Sequence, residues 1–213
     1  MPLVRRRDPF DDRDWLFELK WDGWRSLAYV NGGGTALVSR KGNRFRSFPD
    51  LASTMSLEVN ADDAVLDGEI VKLDGNGRPV FVDLMRRLGL FTFVAFDVLV
   101  VNRRDVRKLG LTDRKKILRA IVPKESRSVL YAQHVKGRGR ELFDLVCKQD
   151  LEGIVAKHRR SQYGVDEPRQ WVKVKNVDYS QARDRHELFE PAESALSCRF
   201  DEGIAESQNK TGP

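Results

Sequence analysis

Apolar and polar positions alternate in short runs along most of the chain. From Trp15 to Lys20 the period of two sets Trp15, Phe17 and Leu19 on one side of a strand, and Leu16, Glu18 and Lys20 on the other. Arg25 to Val30, Thr35 to Ser39, Ala64 to Leu73, Phe91 to Val101, Leu130 to His134, Gly153 to Lys157 and Trp171 to Lys175 read as further strands. Gly23 with Trp24, Asn31 to Gly34, and Asp74 to Gly77 supply turn chemistry between them. Helical spacing is rarer. Asp113 to Ile121 carries Ile117, Leu118 and Ile121 on one face, with Thr112 as the expected N-cap. Arg140 to Asp150 does the same with Leu142, Leu145 and Val146, and Val82 to Leu88 is a shorter third case. Strands and helices do not alternate strictly. The predicted class is therefore α+β, with mainly antiparallel sheets flanked by helices. The pattern fades in residues 191–213, rich in Glu, Ser, Gly and Asn, so a domain over 1–190 and a flexible tail are expected.

Composition narrows the classes without choosing a function. Hydrophobic residues make up 40% of the 213 and charged residues 33%, as in soluble globular domains. The longest apolar run, Leu88 to Val101, is broken by Asp97 and is too short for a bilayer. The basic segment Met1 to Arg7 has no hydrophobic core after it, so export is not expected. Cys147 and Cys198 are far apart and His134, His158 and His186 are scattered, which argues against structural zinc and fits a reducing cytoplasm. The net charge of +6 suits a polyanionic partner such as DNA, though mildly basic proteins are common.

Five local patterns bring charge into apolar surroundings. In Glu18-Leu19-Lys20-Trp21-Asp22-Gly23-Trp24-Arg25, an acid and an amine share a strand face; a solvated surface hairpin fits the same residues. Asp67 and Glu69 share a face opposite Leu66 and Ile70, which also fits an edge strand. Asp97 lies within Phe93 to Leu99 and should be buried, so it needs hydrogen-bond partners or a cation. Leu151 to Lys157 encloses Glu152 and Lys157. In Trp171 to Lys175, Lys173 and Lys175 share a face, either on a solvated edge or converging on phosphate.

Taken in order, these patterns resemble the covalent nucleotidyltransferase superfamily of ATP-dependent DNA ligases, RNA ligases and messenger-RNA capping enzymes. The carriers are Lys20-Trp21-Asp22-Gly23-Trp24-Arg25, Ser39-Arg40, Asp67-Gly68-Glu69, Phe96-Asp97, Glu152 to Lys157, and Val172 to Lys175. Their wording is most similar to bacterial end-joining DNA ligases, and Glu18, two positions before the lysine, is the feature that favours adenine. The resemblance implies a nucleotidyltransferase (ATP-grasp-like) fold and a catalytic domain that forms lysyl-AMP and passes AMP to a DNA 5′-phosphate. Lys20 would be the nucleophile, with Lys173 and Lys175 as catalytic cations. Glu18, Arg25, Arg40, Glu69, Phe96 and Lys157 would bind the nucleotide. Glu69, Glu152 and Asp22 would hold Mg²⁺ or Mn²⁺, and Asp97 would be structural. ATP is the expected cosubstrate and DNA nicks or ends the expected partner.

The stretch after Lys175 is too short for the five-stranded OB barrel that usually follows in DNA ligases. An OB-domain or end-joining protein is therefore an expected partner. Two further readings share these residues: a nucleotide- or DNA-end-binding module that depends on such a partner for catalysis, and an RNA ligase.

Overall fold

The computed structural model describes residues 3–164 and 170–182. In chain order the elements are β1 (Val4–Arg6), β2 (Asp12–Leu19), β3 (Trp24–Asn31), β4 (Gly34–Ser39), α1 (Pro49–Glu58), β5 (Asp63–Val71), α2 (Phe81–Met85), β6 (Thr92–Val101), β7 (Arg104–Asp105), α3 (Leu111–Ile121), β8 (Val129–Tyr131), β9 (His134–Gly137), α4 (Gly139–Lys148), β10 (Gly153–His158) and β11 (Trp171–Lys175). They form two sheets. One runs β1-β11-β10-β2-β9; the other runs β4-β3-β5-β6-β7, with β8 also paired to β6. Pairing is antiparallel except for β1 with β11 and β6 with β8. This is the expected α+β arrangement. The expected tail, 191–213, lies outside the described residues.

Each sheet buries the face that alternation marks. Phe17, Ile154, Ala156, Val172 and Val174 form one core with Trp15 and Leu19 at its margin, under α4. Ala28, Val30, Leu66, Ile70, Phe93, Ala95 and Val98 form the larger core, closed by α1 and α3. Neither β5 nor β11 is an edge strand: β5 lies between β3 and β6, and β11 between β1 and β10. Asp67 from the polar face of β5 and Lys173 from that of β11 border one shared cavity.

Three local expectations change. Leu130 to His134 is two strands, because the chain leaves the β6 sheet after Tyr131 and joins β2 of the other sheet at His134. Thr112 is not the N-cap of α3. Gly110 takes that place, and the Thr112 backbone N–H and Oγ1 both donate to the Arg159 carbonyl. Helix α1 has no counterpart in the periodicity reading. Ser53, Thr54 and Ser56 are weak helix formers, while Pro49 at its start and buried Leu51 and Met55 one turn apart hold it to the sheet.

Candidate active site

The chain crosses from one sheet to the other through the Lys20 segment. Strand β2 ends at Leu19, the Lys20 backbone N–H donates to the Gly153 carbonyl at 2.9 Å, and β3 begins at Trp24. Gly23 is needed here for closeness rather than for a left-handed backbone. A Cβ at this position would run into the Ile70 carbonyl oxygen and sit 2.9 Å from Val71 Cγ1 and 3.0 Å from Glu69 Cγ. The turn thus lies directly on β5, and Lys20 faces Glu69.

Lys20 Nζ donates to Glu152 Oε2 at 2.6 Å, and Lys175 Nζ is 3.4 Å from Glu152 Oε1. Glu152 is buried, Lys20 partly so, and Lys175 exposed. Lys173 stands beside them. Partial burial, and then the ammonium groups of Lys20 and Lys175, push its amine below the usual lysine range. Lys20, Lys173, Lys175 and Glu152 therefore converge, from the turn after β2, from β11 and from the residue just before β10.

Two adjoining cavities open from this point. The smaller, about 60 Å³, is walled by Glu18, Lys20, Arg25, Glu69, Phe96 and Lys157, among others. The larger, about 580 Å³, carries Arg25, Arg40, Asp67, Tyr163 and Lys173. Arg25 and Leu3 border both. In the smaller cavity the Lys157 ammonium lies 4.3 Å from the Phe96 ring centre and 4.2 Å from that of Trp171, and donates to Glu18 Oε2 at 2.7 Å. The Arg25 guanidinium lies 5.7 Å from the Phe96 ring.

The acids sort by partner. Arg25 donates twice to Asp67, at 3.1 and 2.7 Å, and the Tyr163 hydroxyl donates to the same carboxylate at 2.7 Å. Asp97 is fully buried and takes two hydrogen bonds from Arg114, as a buried carboxylate requires. Asp22 is buried, accepts from the Tyr179 hydroxyl at 3.0 Å and lines neither cavity. Among the described residues Glu69 makes no ion pair within 4 Å. Burial raises its carboxyl to about 8, Lys20 and Arg25 pull it down, and Glu152 and Asp67 push it up.

That pattern fits a hard divalent cation at Glu69, whose burial no ion pair of its own offsets, with neighbouring Glu152 as the second acid. Asp22, the third acid expected there, accepts from the Tyr179 hydroxyl, and among the described residues no three His, Cys, Asp or Glu side chains converge as a metal cage.

Sequence reading overlooked Arg114, Lys115, Tyr163 and Tyr179. The first two sit on α3, where charge ordinarily marks a solvated face; both are buried because Asp97 and Glu18 lie opposite. An Asp buried in an apolar strand signals a need for hydrogen-bond partners or a cation, without saying where in the chain to seek them.

Residues 7–175 match the family described as ATP dependent DNA ligase domain. The chain belongs to that family. It is 31% identical, over 189 residues, to the SPbeta prophage-derived DNA ligase-like protein LigB of Bacillus subtilis, a match covering 85% of this chain and 68% of the relative. Identity to the multifunctional non-homologous end joining DNA repair protein LigD of Mycobacterium tuberculosis is 34% over 153 residues. That match covers 70% of this chain and 20% of LigD, so the chain corresponds to about a fifth of that relative. A solved structure of mycobacterial DNA ligase D complexed with ATP and MES aligns with a TM-score of 0.70 and 31% identity, over 82% of this chain and 60% of the other. The chain is thus an ATP-dependent DNA ligase catalytic domain with the nucleotidyltransferase fold, similar in sequence to the ligase part of bacterial end-joining proteins.

Proposed function

We propose that Lys20 attacks the α-phosphorus of ATP. The Nζ–P bond forms as the bond to pyrophosphate breaks, and the amine gives up its proton. The AMP then passes to a DNA 5′-phosphate, freeing Lys20, and a 3′-hydroxyl displaces AMP to close the backbone. The observation that carries this reading is the position of Lys20: its amine sits on buried Glu152, beside Lys173 and Lys175, at the wall of a cavity that also holds Glu18 and Phe96.

Each group has a physical use. Negative charge gathers on the phosphate oxygens as the new bond forms, and Lys173 and Lys175 are the cations beside it. Glu18 and Lys157 face the base, Phe96 offers a ring for stacking, and Arg25, Arg40 and Glu69 border the space for ribose and phosphates. Mg²⁺ or Mn²⁺ held by Glu69 and Glu152 would add positive charge at the phosphates.

Nicked or broken DNA is the substrate in this reading, with an OB-domain or end-joining protein as helper and the cytoplasm as location. No helix among the described residues is long and apolar enough to cross a membrane. The test is incubation with labelled ATP and Mg²⁺. An acid-labile AMP adduct should form and vanish in Lys20→Ala; an adduct that survives in Lys20→Ala overturns the assignment of the nucleophile. Supplying pre-adenylated and plain nicks, in DNA and in RNA, then separates the steps. Sealing of only the pre-adenylated nick assigns the first step to a helper, and preferential sealing of RNA identifies an RNA ligase.

A further inference from the structure

Behind the base pocket, a second buried lysine reaches Glu18 from α3. Lys115 Nζ lies 2.8 Å from Glu18 Oε1, while Lys157 holds Oε2 at 2.7 Å, and all three side chains are 2% exposed. Lys115 is itself anchored. It donates to the Ala132 carbonyl at 2.7 Å, approaches the Phe96 carbonyl at 3.5 Å and lies 4.2 Å from the Tyr131 ring centre. It also lines a separate cavity with Thr112, Arg119, Tyr131 and His134, which Lys20 does not border. Lys115 therefore does not touch the space where a nucleotide would sit, and its connection to that space runs through Glu18.

One lysine would suffice to neutralise Glu18. Two, placed at different oxygens, do something else: they fix the plane of the carboxylate. With Lys157 alone, the carboxylate is free to turn about that single contact. Each carboxylate oxygen can accept more than one donor, so Glu18, which lines the base pocket, keeps acceptor capacity beyond its two lysines. An ionised carboxylate can only accept. It complements a base that presents an amino group and opposes one that presents a carbonyl. Adenine and guanine differ in this way at position 6.

We propose that Lys115 is a positioning residue for base selection, which orients the Glu18 carboxylate so that its remaining lone pairs meet an exocyclic amine and reject a carbonyl. The inference rests on the proposed base pocket. It concerns binding, so it can be tested apart from adduct formation.

The experiment measures equilibrium binding of ATP and GTP in EDTA, where no transfer occurs, for the wild type, Lys115→Met, Lys115→Arg, Glu18→Gln and the double variant Glu18→Gln/Lys115→Met. In Lys115→Met, ATP binding should weaken by about 10- to 100-fold, the size of one charge-assisted hydrogen bond. The preference for ATP over GTP should fall at least tenfold on the same ground. Lys115→Arg should restore most of both. A lesion that merely loosened the domain would weaken both nucleotides alike and would add to Glu18→Gln. A residue acting through Glu18 should instead change the preference little once Glu18 is Gln.

The double variant removes one acid and one lysine together and so keeps the net charge of the cluster, with Lys157 still facing the amide oxygen introduced by Glu18→Gln, so it keeps the test valid if Lys115→Met does not fold; a double variant less selective than Glu18→Gln alone overturns the proposal. So does an unchanged ATP-to-GTP ratio in folded Lys115→Met. Absence of a Lys20 adduct in Mg²⁺, with these ratios as expected, would overturn the nucleophile and leave the role of Lys115 supported. Failure of the wild type to bind ATP would overturn both.

Discussion

Replacing Arg114 by Met tests the claim that Asp97 is a structural charge. The Arg114 guanidinium gives two hydrogen bonds to Asp97, at 2.8 and 2.9 Å, and two to the Leu109 and Ser161 carbonyls, at 2.6 and 2.8 Å. Both ionic side chains are fully buried. Methionine fills much of the volume and leaves a carboxylate without its cation, a change worth about 3–5 kcal/mol. For a domain of this size that amounts to a drop in Tm of about 6–20 °C. The loss should depend on pH. Burial raises the Asp97 carboxyl above its ordinary value of 3.8, and Arg114 opposes the rise. Without Arg114 the folded-state value climbs further, so the folded protein must keep a proton that the unfolded chain releases. The deficit relative to wild type is therefore small near pH 3.8 and grows as pH rises. Urea unfolding at several pH values measures it, and Arg114→Met/Asp97→Asn should recover a large part. A deficit below about 1 kcal/mol at pH 7, or one independent of pH, would refute the reasoning from unpaired charge.

Other perturbations address the site. Glu69→Gln should abolish the AMP adduct yet stabilise the fold at pH 8. The Glu69 carboxyl sits at about 8 when folded against 4.5 ordinarily, so wild-type stability falls as pH rises from 4.5 to 8 and then levels. After allowance for partial exposure the gain is about 1–3 kcal/mol in urea melts at pH 8, and near zero at pH 4.5. Gly23→Ala should slow adduct formation by about 100-fold, because its Cβ meets the Ile70 carbonyl and displaces the Lys20 turn; single-turnover labelling with ATP reads this, and a rate within twofold of wild type counts against it. Tyr179→Phe removes the hydroxyl that donates to Asp22 and should lower stability by about 1 kcal/mol in the same melts; no change would show that the contact adds nothing.

Much of this architecture is legible from alternation alone. The inward faces of β2, β5, β10 and β11 follow from period two, because both sheets have a continuous apolar side and little freedom of register. The meeting of Lys20 with Glu152 was within reach once those strands were placed. What alternation does not encode is which strand neighbours which. Thus an edge position stays open for β5 and β11 until the sheet order shows them to be interior. Helix α1 is hidden for another reason: its hold on the fold comes from Leu51 and Met55 packing on the β3–β4 sheet, while its own residues favour helix weakly. Arg114 and Lys115 show the same limit from the polar side. Their sequence neighbours are solvated, and only the facing strands reveal that each enters the interior to meet an acid.

The distribution of charge between the sheets explains why one acid stands out. Glu18 is held by two lysines, Asp67 by Arg25 and Tyr163, Asp97 by Arg114, Glu152 by Lys20 and Lys175, and Asp22 accepts from Tyr179. Partners of this kind make these carboxylates tolerable away from water, and most are fixed by strand register and the packing of α3. Glu69 has no such partner among the described residues, although Gly23 brings the Lys20 turn against its stem. An unmatched acid beside a matched one disfavours the free protein and favours any bound cation by the same interaction. The Lys20–Glu152 pair has the complementary property. Its 2.6 Å contact holds the amine at the cavity wall. In the proposed reaction a cation that takes up Glu152 would free that amine to meet the phosphate, so the contact that positions Lys20 also competes with its reaction.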